Sequence, residues 1–180
     1  MLFRSISLLL LSCQTYQKTD NEIHSEILTV DTHIDIPLRL VRDSTYNLGE
    51  EHSSKKGQTD FPRMTKGGLD AAFFIVWTPQ EKRDSIGNKN VNEKAHKILE
   101  KIKLSVNSAP SLAELAYSLD DIIRINNSEK HPILIGMENG YPIGSDISQV
   151  EHFYNLGIRY LTLCHTKDND ICDSSTDESE

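Results

Sequence analysis

Positive charge is what the sequence has least of for its size. Over 180 residues, 19 lysines and arginines face 27 aspartates and glutamates, a formal net charge of -8. With no basic stripe to displace counterions from phosphate, nucleic acid is excluded as the main partner and small or peptide-like ligands are favoured. Cysteine is sparse too: Cys13, Cys164 and Cys172 make no disulfide framework, although Cys164 and Cys172 could pair in an oxidising compartment. No Gly-rich phosphate loop occurs, because Gly67 and Gly68 precede a strand signal instead of following one, and no repeat of fixed period is visible. What is present, 37% hydrophobic and 26% charged residues, is the composition of a folded domain with a sizeable core.

The first residues, MLFRSISLLLLSC, place a short basic region at Arg4 before an apolar core from Ile6 to Leu11, then a small residue before cysteine. The apolar run is far too short for a helix of roughly 20 residues that spans a bilayer. The pattern resembles a bacterial lipoprotein signal. On that reading residues 1–12 are a signal peptide, Cys13 becomes the lipidated first residue and residues 13–26 are a polar tether. A lipid anchor would then hold the protein to the membrane on the periplasmic side of the cell envelope without inserting its fold.

Residues 27–180 read as one domain. A strand signal covers about Ile27 to Asp31, and a polar loop follows to about residue 60. Leu69 to Trp77 is almost continuously apolar, as in a parallel strand buried on both faces. Val91, Ala95, Ile98, Leu99, Ile102 and Val106 follow helical spacing. A second helix is predicted from Ser111 and Glu114 in capping-box positions, with Leu112, Leu115, Ala116, Leu119, Ile122 and Ile123 along one face. HPILIGMENG is a strand ending at Glu138, Ser145 to Gly157 a helix with Ser145 as its N-cap and Gly157 as its left-handed stop, and IRYLTLCH a fourth strand. Strands alternating with helices indicate an α/β fold with a parallel sheet. An eightfold barrel takes about 250 residues, so four strand signals predict a chain that stops in mid-fold; the acidic run DNDICDSSTDESE could be a disordered tail, but it follows a strand lip where another helix would be expected.

The chemistry concentrates in ILTVDTHIDIPLRL, residues 27–40. In an extended chain Asp31, His33 and Asp35 share one side while Thr32, Ile34 and Ile36 take the other. Pro37 cannot donate to a ladder, which puts the triplet at the C-terminal lip of the strand. A single H-x-D is ordinarily a hydrogen-bonding or turn pair. It gains meaning because Glu138 ends the third strand and His165 follows the fourth, and parallel strands bring such ends to one rim. Imidazole mixed with carboxylate suits a hydrolytic zinc site with open positions for water. Asp31 is expected to support that site from behind. Asn139, Tyr141 and Asn169 are expected to shape loops, and Asp168, Asp170 and Asp173 to form a solvated rim. His24, His52, His96, His131 and His152 fall outside the motifs as surface or structural residues.

VDTHIDIPLRL, TDFPRMTKGGLDAAFFIVW, LIGMENG and YNLGIRYLTLCHTKDNDICDSS, in this order, resemble the membrane dipeptidases, the renal dipeptidase-like zinc peptidases, from about residue 22 to residue 180. The resemblance implies a (β/α)8 TIM barrel, of which this chain covers about the first half, and a centre of two zinc ions that hydrolyses dipeptides. His33 and Asp35 match ligands of the first zinc and Glu138 the bridging carboxylate. His165 matches the substrate-contacting histidine, which would stabilise the oxyanion of the tetrahedral intermediate. Two further histidine ligands and a late aspartate of the family have no counterpart here, so the chain alone is expected to be inactive. The competing expectations are a non-catalytic lipoprotein fragment and another barrel metallohydrolase, though the latter would favour H-x-H on the first strand. The expected partners are a dipeptide substrate and, through the lipid anchor, a membrane surface, with a homodimer as the candidate assembly.

Overall fold

Two strands are apolar almost throughout, and both lie inside one parallel sheet. They are β2 (Ala71–Trp77) and β4 (His131–Glu138), paired in register from Ala72 opposite Ile133 to Trp77 opposite Glu138. The computed structural model describes residues 17–176. β1 (Val30–Ile34) pairs with the free edge of β2. The other edge of β4 is shared: β3 (Ala113–Leu115) runs beside its start and β5 (Ile158–Thr162) beside its end. All five strands are parallel, so every C-terminal end points to one rim.

Ala72, Phe74, Val76, Ile133, Ile135 and Met137 form the core on one face of the sheet. Against it lie α2 (Ile36–Arg42) and α4 (Ser85–Asn107), and the predicted stripe from Val91 to Val106 on α4 is buried in full. The Asp84 carboxylate starts α4 by accepting from Gly87 N at 2.8 Å. α3 (Phe61–Gly67) buries Phe61 and Met64 beside the same core.

The helix expected from Ser111 is corrected. Ala113–Leu115 is β3, and the helix α5 (Leu119–Asn126) begins only after Ser118, whose hydroxyl accepts from Asp121 N at 3.1 Å. His131 N donates to Leu112 O at 2.8 Å and Ala116 N to Ile133 O at 2.9 Å, so pairing with β4 overrides the helical spacing of the apolar residues. Among the described residues the sheet therefore has five strands where four signals were read.

Ser145 does not cap the next helix, α6 (Ser148–Asn155). Asp146 takes the role nearest to a cap, accepting from Ser148 N at 3.0 Å. Gly157 does adopt a positive φ, +112°, beyond that helix. Pro37 does not merely end a strand: it sits in the first turn of α2, where its missing N–H costs nothing, so β1 turns directly into a helix and the loop before residue 60 is shorter than expected.

Within the stretch expected as tether, Asp20–Ser25 forms α1, closed by a reciprocal Thr19–Glu22 capping box. The signal segment and Cys13 lie outside the described residues. Among the described residues no helix is long and apolar enough to cross a membrane.

Candidate metal centre

β1, the turn from it into α2, and β4 carry the first three polar groups to the rim. His33 stands where the pairing of β1 with β2 changes register between Asp31 and Ile34. Its N–H donates to Asp31 Oδ1 at 2.9 Å, a local bond that engages Asp31 with the backbone. Asp35 occupies the N-cap position of α2 but makes no cap bond, and its carboxylate faces His33 instead. Glu138 is the last residue of β4.

His33 Nε2 lies 3.4 Å from Glu138 Oε2 and 3.6 Å from Asp35 Oδ1. The ligand atoms of His33, Asp35 and Glu138 all fall within 4.8 Å of one another. Donors about 2.1 Å from a tetrahedral ion are themselves about 3.4 Å apart, so this set fits zinc in donor chemistry and nearly in spacing. His165 Nε2 stands 3.6 Å from the other Glu138 oxygen, Oε1. These four residues, with Leu38 and Trp77, line an open pocket of about 310 Å³. Glu138 is the least exposed of the three donors, at 16% side-chain exposure against 40% for His33 and 61% for Asp35, so a ligand would approach over the His33–Asp35 side.

The loop carrying His165 is fastened from below. Asn169 Nδ2 donates to Asn139 Oδ1 at 2.9 Å and to Leu163 O at 2.7 Å, while Asn169 Oδ1 accepts from Ile171 N and Cys172 N. Asn139 holds a left-handed φ of +75°, which Asn tolerates better than most residues, and donates to Thr78 O at 3.1 Å. Trp77 meets the His165 ring edge-on, 5.9 Å between centroids. Both cysteines of this loop are free, and the thiols of Cys164 and Cys172 donate to the same Asp173 carbonyl. A hydrogen bond with Cys164, followed by burial, pushes the Cys172 thiol up.

The structure thus brings together His33, Asp35, Glu138 and His165. Asp31 stays on the edge as a backbone acceptor. Asp168 and Asp170 accept from Ser174 N and Asn88 Nδ2, so the rim acids are partly tied down. His24, His52, His96, His131 and His152 lie away from the pocket, each in its own hydrogen bonds. Sequence reasoning missed Trp77 and Tyr160. Burial, then the charges of Glu138, Asp35 and Asp31, push the Tyr160 phenol up to about 12. Gly136, a glycine inside a buried strand, was the available sign that another group approaches there.

The family model described as "Membrane dipeptidase (Peptidase family M19)" matches residues 17–180. Dipeptidase 3 of Rattus norvegicus is 31% identical over 150 residues, 82% of this chain and 29% of that protein. Dipeptidase ataJ of Aspergillus terreus is 29% identical over 154 residues, again 82% of this chain and 38% of the other. Among solved structures, the probable dipeptidase PvdM of Pseudomonas aeruginosa superposes with a TM-score of 0.74 at 23% identity, covering 85% of this chain and 38% of that one. A metallo peptidase of Rhodobacter sphaeroides, liganded with a phosphinate mimic of the dipeptide L-Ala-D-Ala, superposes with a TM-score of 0.64 at 20% identity, covering 75% and 44%. The chain thus spans less than half the length of each of these relatives, and within that span its parallel sheet carries part of their (β/α)8 fold. With the family match running over nearly all of its length and the sheet bringing the acidic and histidine residues to one rim, the chain belongs to the membrane dipeptidase family, peptidase family M19.

Proposed function

We propose that the site holds zinc and serves the hydrolysis of dipeptides. The observation that carries this reading is the spacing of His33 Nε2 from Asp35 Oδ1 and Glu138 Oε2, 3.6 and 3.4 Å, close to adjacent corners of one zinc coordination sphere. His33 and Asp35 would hold the first ion. Glu138, with its second oxygen turned away from them towards His165, has the geometry to bridge to a second. Zinc bound there supplies Lewis acidity, lowering the pKa of water towards neutrality and polarising a carbonyl.

The chain's own residues do the rest. His165, in edge contact with Trp77 and on the loop tied by the Asn139–Asn169 bond, would donate to the oxygen on which charge develops as the peptide carbonyl becomes tetrahedral. The Trp77 ring and Leu38 line the pocket sides. The dipeptide mimic on the Rhodobacter sphaeroides neighbour supports a dipeptide as the ligand class. Three donors gather among the described residues, enough for one ion and short of a full second set. The chain alone is therefore expected to bind a single zinc and to leave dipeptides intact.

Isothermal titration with zinc, alongside a dipeptide hydrolysis assay, tests this. Failure to bind zinc above micromolar affinity, or binding unchanged in Asp35→Ala, would overturn the metal reading. Attachment to the cell envelope through a lipid on Cys13 belongs to the same proposal. Cys13→Ala should abolish lipid labelling, and labelling that persists would refute the anchor.

A further inference from the structure

Tyr160 crosses the sheet to reach a residue on a strand that is not its neighbour. It sits on β5, while His33 and Thr32 sit on β1, with β2 and β4 between them. Three features clear its way. Gly136 is its partner in register on β4, and a Cβ there would lie 2.4 Å from the Tyr160 ring, so the ring lies over bare backbone. Phe73 on β2 packs against it with centroids 5.1 Å apart and planes at 48°. At the far end the hydroxyl lies 2.9 Å from Thr32 O and 3.3 Å from His33 Nδ1.

On the Nδ1 side the proton inventory is simple, although the Asp35 and Glu138 carboxylates, 3.6 and 3.4 Å from Nε2, only accept and compete for the same proton until a cation neutralises them. A carbonyl oxygen only accepts, so the single phenolic proton is committed to Thr32 O. The hydroxyl then faces Nδ1 of His33 with a lone pair, which favours the proton on Nδ1. In a neutral imidazole this leaves Nε2 unprotonated. Nε2 is the atom turned towards Asp35 and Glu138.

We propose that Tyr160 is a positioning residue: it selects the Nδ1–H form of His33, holds the ring's orientation, and so presents a free Nε2 lone pair to a metal ion. This rests on the zinc reading for its purpose, though not for its geometry. A histidine that binds a metal through one nitrogen ordinarily donates from the other, and loss of such a partner costs about 10- to 100-fold in metal affinity. Tyr160 supplies the partner from the other side of the sheet, and Gly136 exists in β4 to let it through.

The test uses 15N-resolved histidine side-chain spectra of the metal-free chain at alkaline pH, where imidazoles are neutral, together with zinc titration. The wild-type chain should show a measurable Nδ1–H share of His33, which zinc at Nε2 makes complete. Tyr160→Phe should shift the balance towards Nε2–H and weaken zinc binding about 10- to 100-fold, with an unchanged far-ultraviolet spectrum. Gly136→Ala, which displaces the ring without removing the hydroxyl, should move both readouts in the same direction. His33 found wholly as Nε2–H in the wild type, or a tautomer balance and zinc affinity unmoved in Tyr160→Phe, would overturn the proposal. If the wild-type chain binds no zinc the metal reading fails by itself, and the tautomer of the metal-free protein still decides whether Tyr160 orients His33.

Discussion

Asn169 donates from its side-chain amide to Oδ1 of Asn139 at 2.9 Å, and both residues are buried. One amide follows Glu138 directly and the other sits in the loop that carries His165, so this single bond sets the spacing of two groups in the pocket. Removing it should be costly. Asn139→Ala removes the donor to the Thr78 carbonyl and one of the two acceptors of the Asn169 amide, and places alanine at a positive φ, for an expected loss of about 3 kcal/mol. A urea midpoint equal to that of the wild type would show the bond to be dispensable.

Asp60 provides a second stability prediction, with a pH signature. It is fully buried, caps α3 through Arg63 N at 2.9 Å, accepts from His52 N at 2.9 Å and pairs with Arg63 Nε at 2.7 Å. Burial pushes its carboxyl up, but the His52 and Arg63 bonds outweigh this and hold it below the usual range. A carboxyl lowered in the folded state lends stability above its unfolded pKa of about 3.9, and that stability is lost as pH falls through the lower folded value. Asp60→Asn should therefore destabilise by about 3 kcal/mol at neutral pH, with the gap to wild type narrowing below about pH 4. Parallel stability curves across the acid range would contradict the assignment.

Glu138→Gln keeps the shape of the pocket and removes the charge that His33 and His165 both face. Zinc affinity should drop about 100-fold or more, since even the outer partners of metal ligands are worth 10- to 100-fold. Equilibrium dialysis with metal analysis reads this directly.

His165→Ala should behave differently, because His165 lies beside Glu138 without joining the three-ligand cluster. Zinc affinity is expected to stay within about three-fold, while in a chain that turns over dipeptides kcat should fall about 100-fold or more, the usual cost of losing a donor to a developing oxyanion. Metal loss comparable to that of Glu138→Gln would make His165 a ligand.

What was legible in the sequence was whatever a short window of chain decides. The apolar runs of β2 and β4 announced strands buried on both faces, and the stripe from Val91 to Val106 announced α4. The convergence of Glu138 and His165 was legible one step further, because parallel strands share a rim. The segment around Ala113 was not, since Leu112, Leu115, Ala116 and Leu119 suit a helix as well as a strand followed by a helix, and only the backbone of β4 distinguishes them.

The sequence by itself determined which chemistry the rim would carry, because residue type and strand period are properties of neighbours along the chain. Tertiary structure alone decided how that chemistry is aimed. His33 and Tyr160 stand 127 residues apart, and their contact depends on strand register and on the missing side chain of Gly136. Asn139 and Asn169 meet only because β4 and β5 end side by side. Hydrogen bonds act over about 3 Å, so which groups they join is set by where the folded backbone brings them and not by how far apart they lie in sequence.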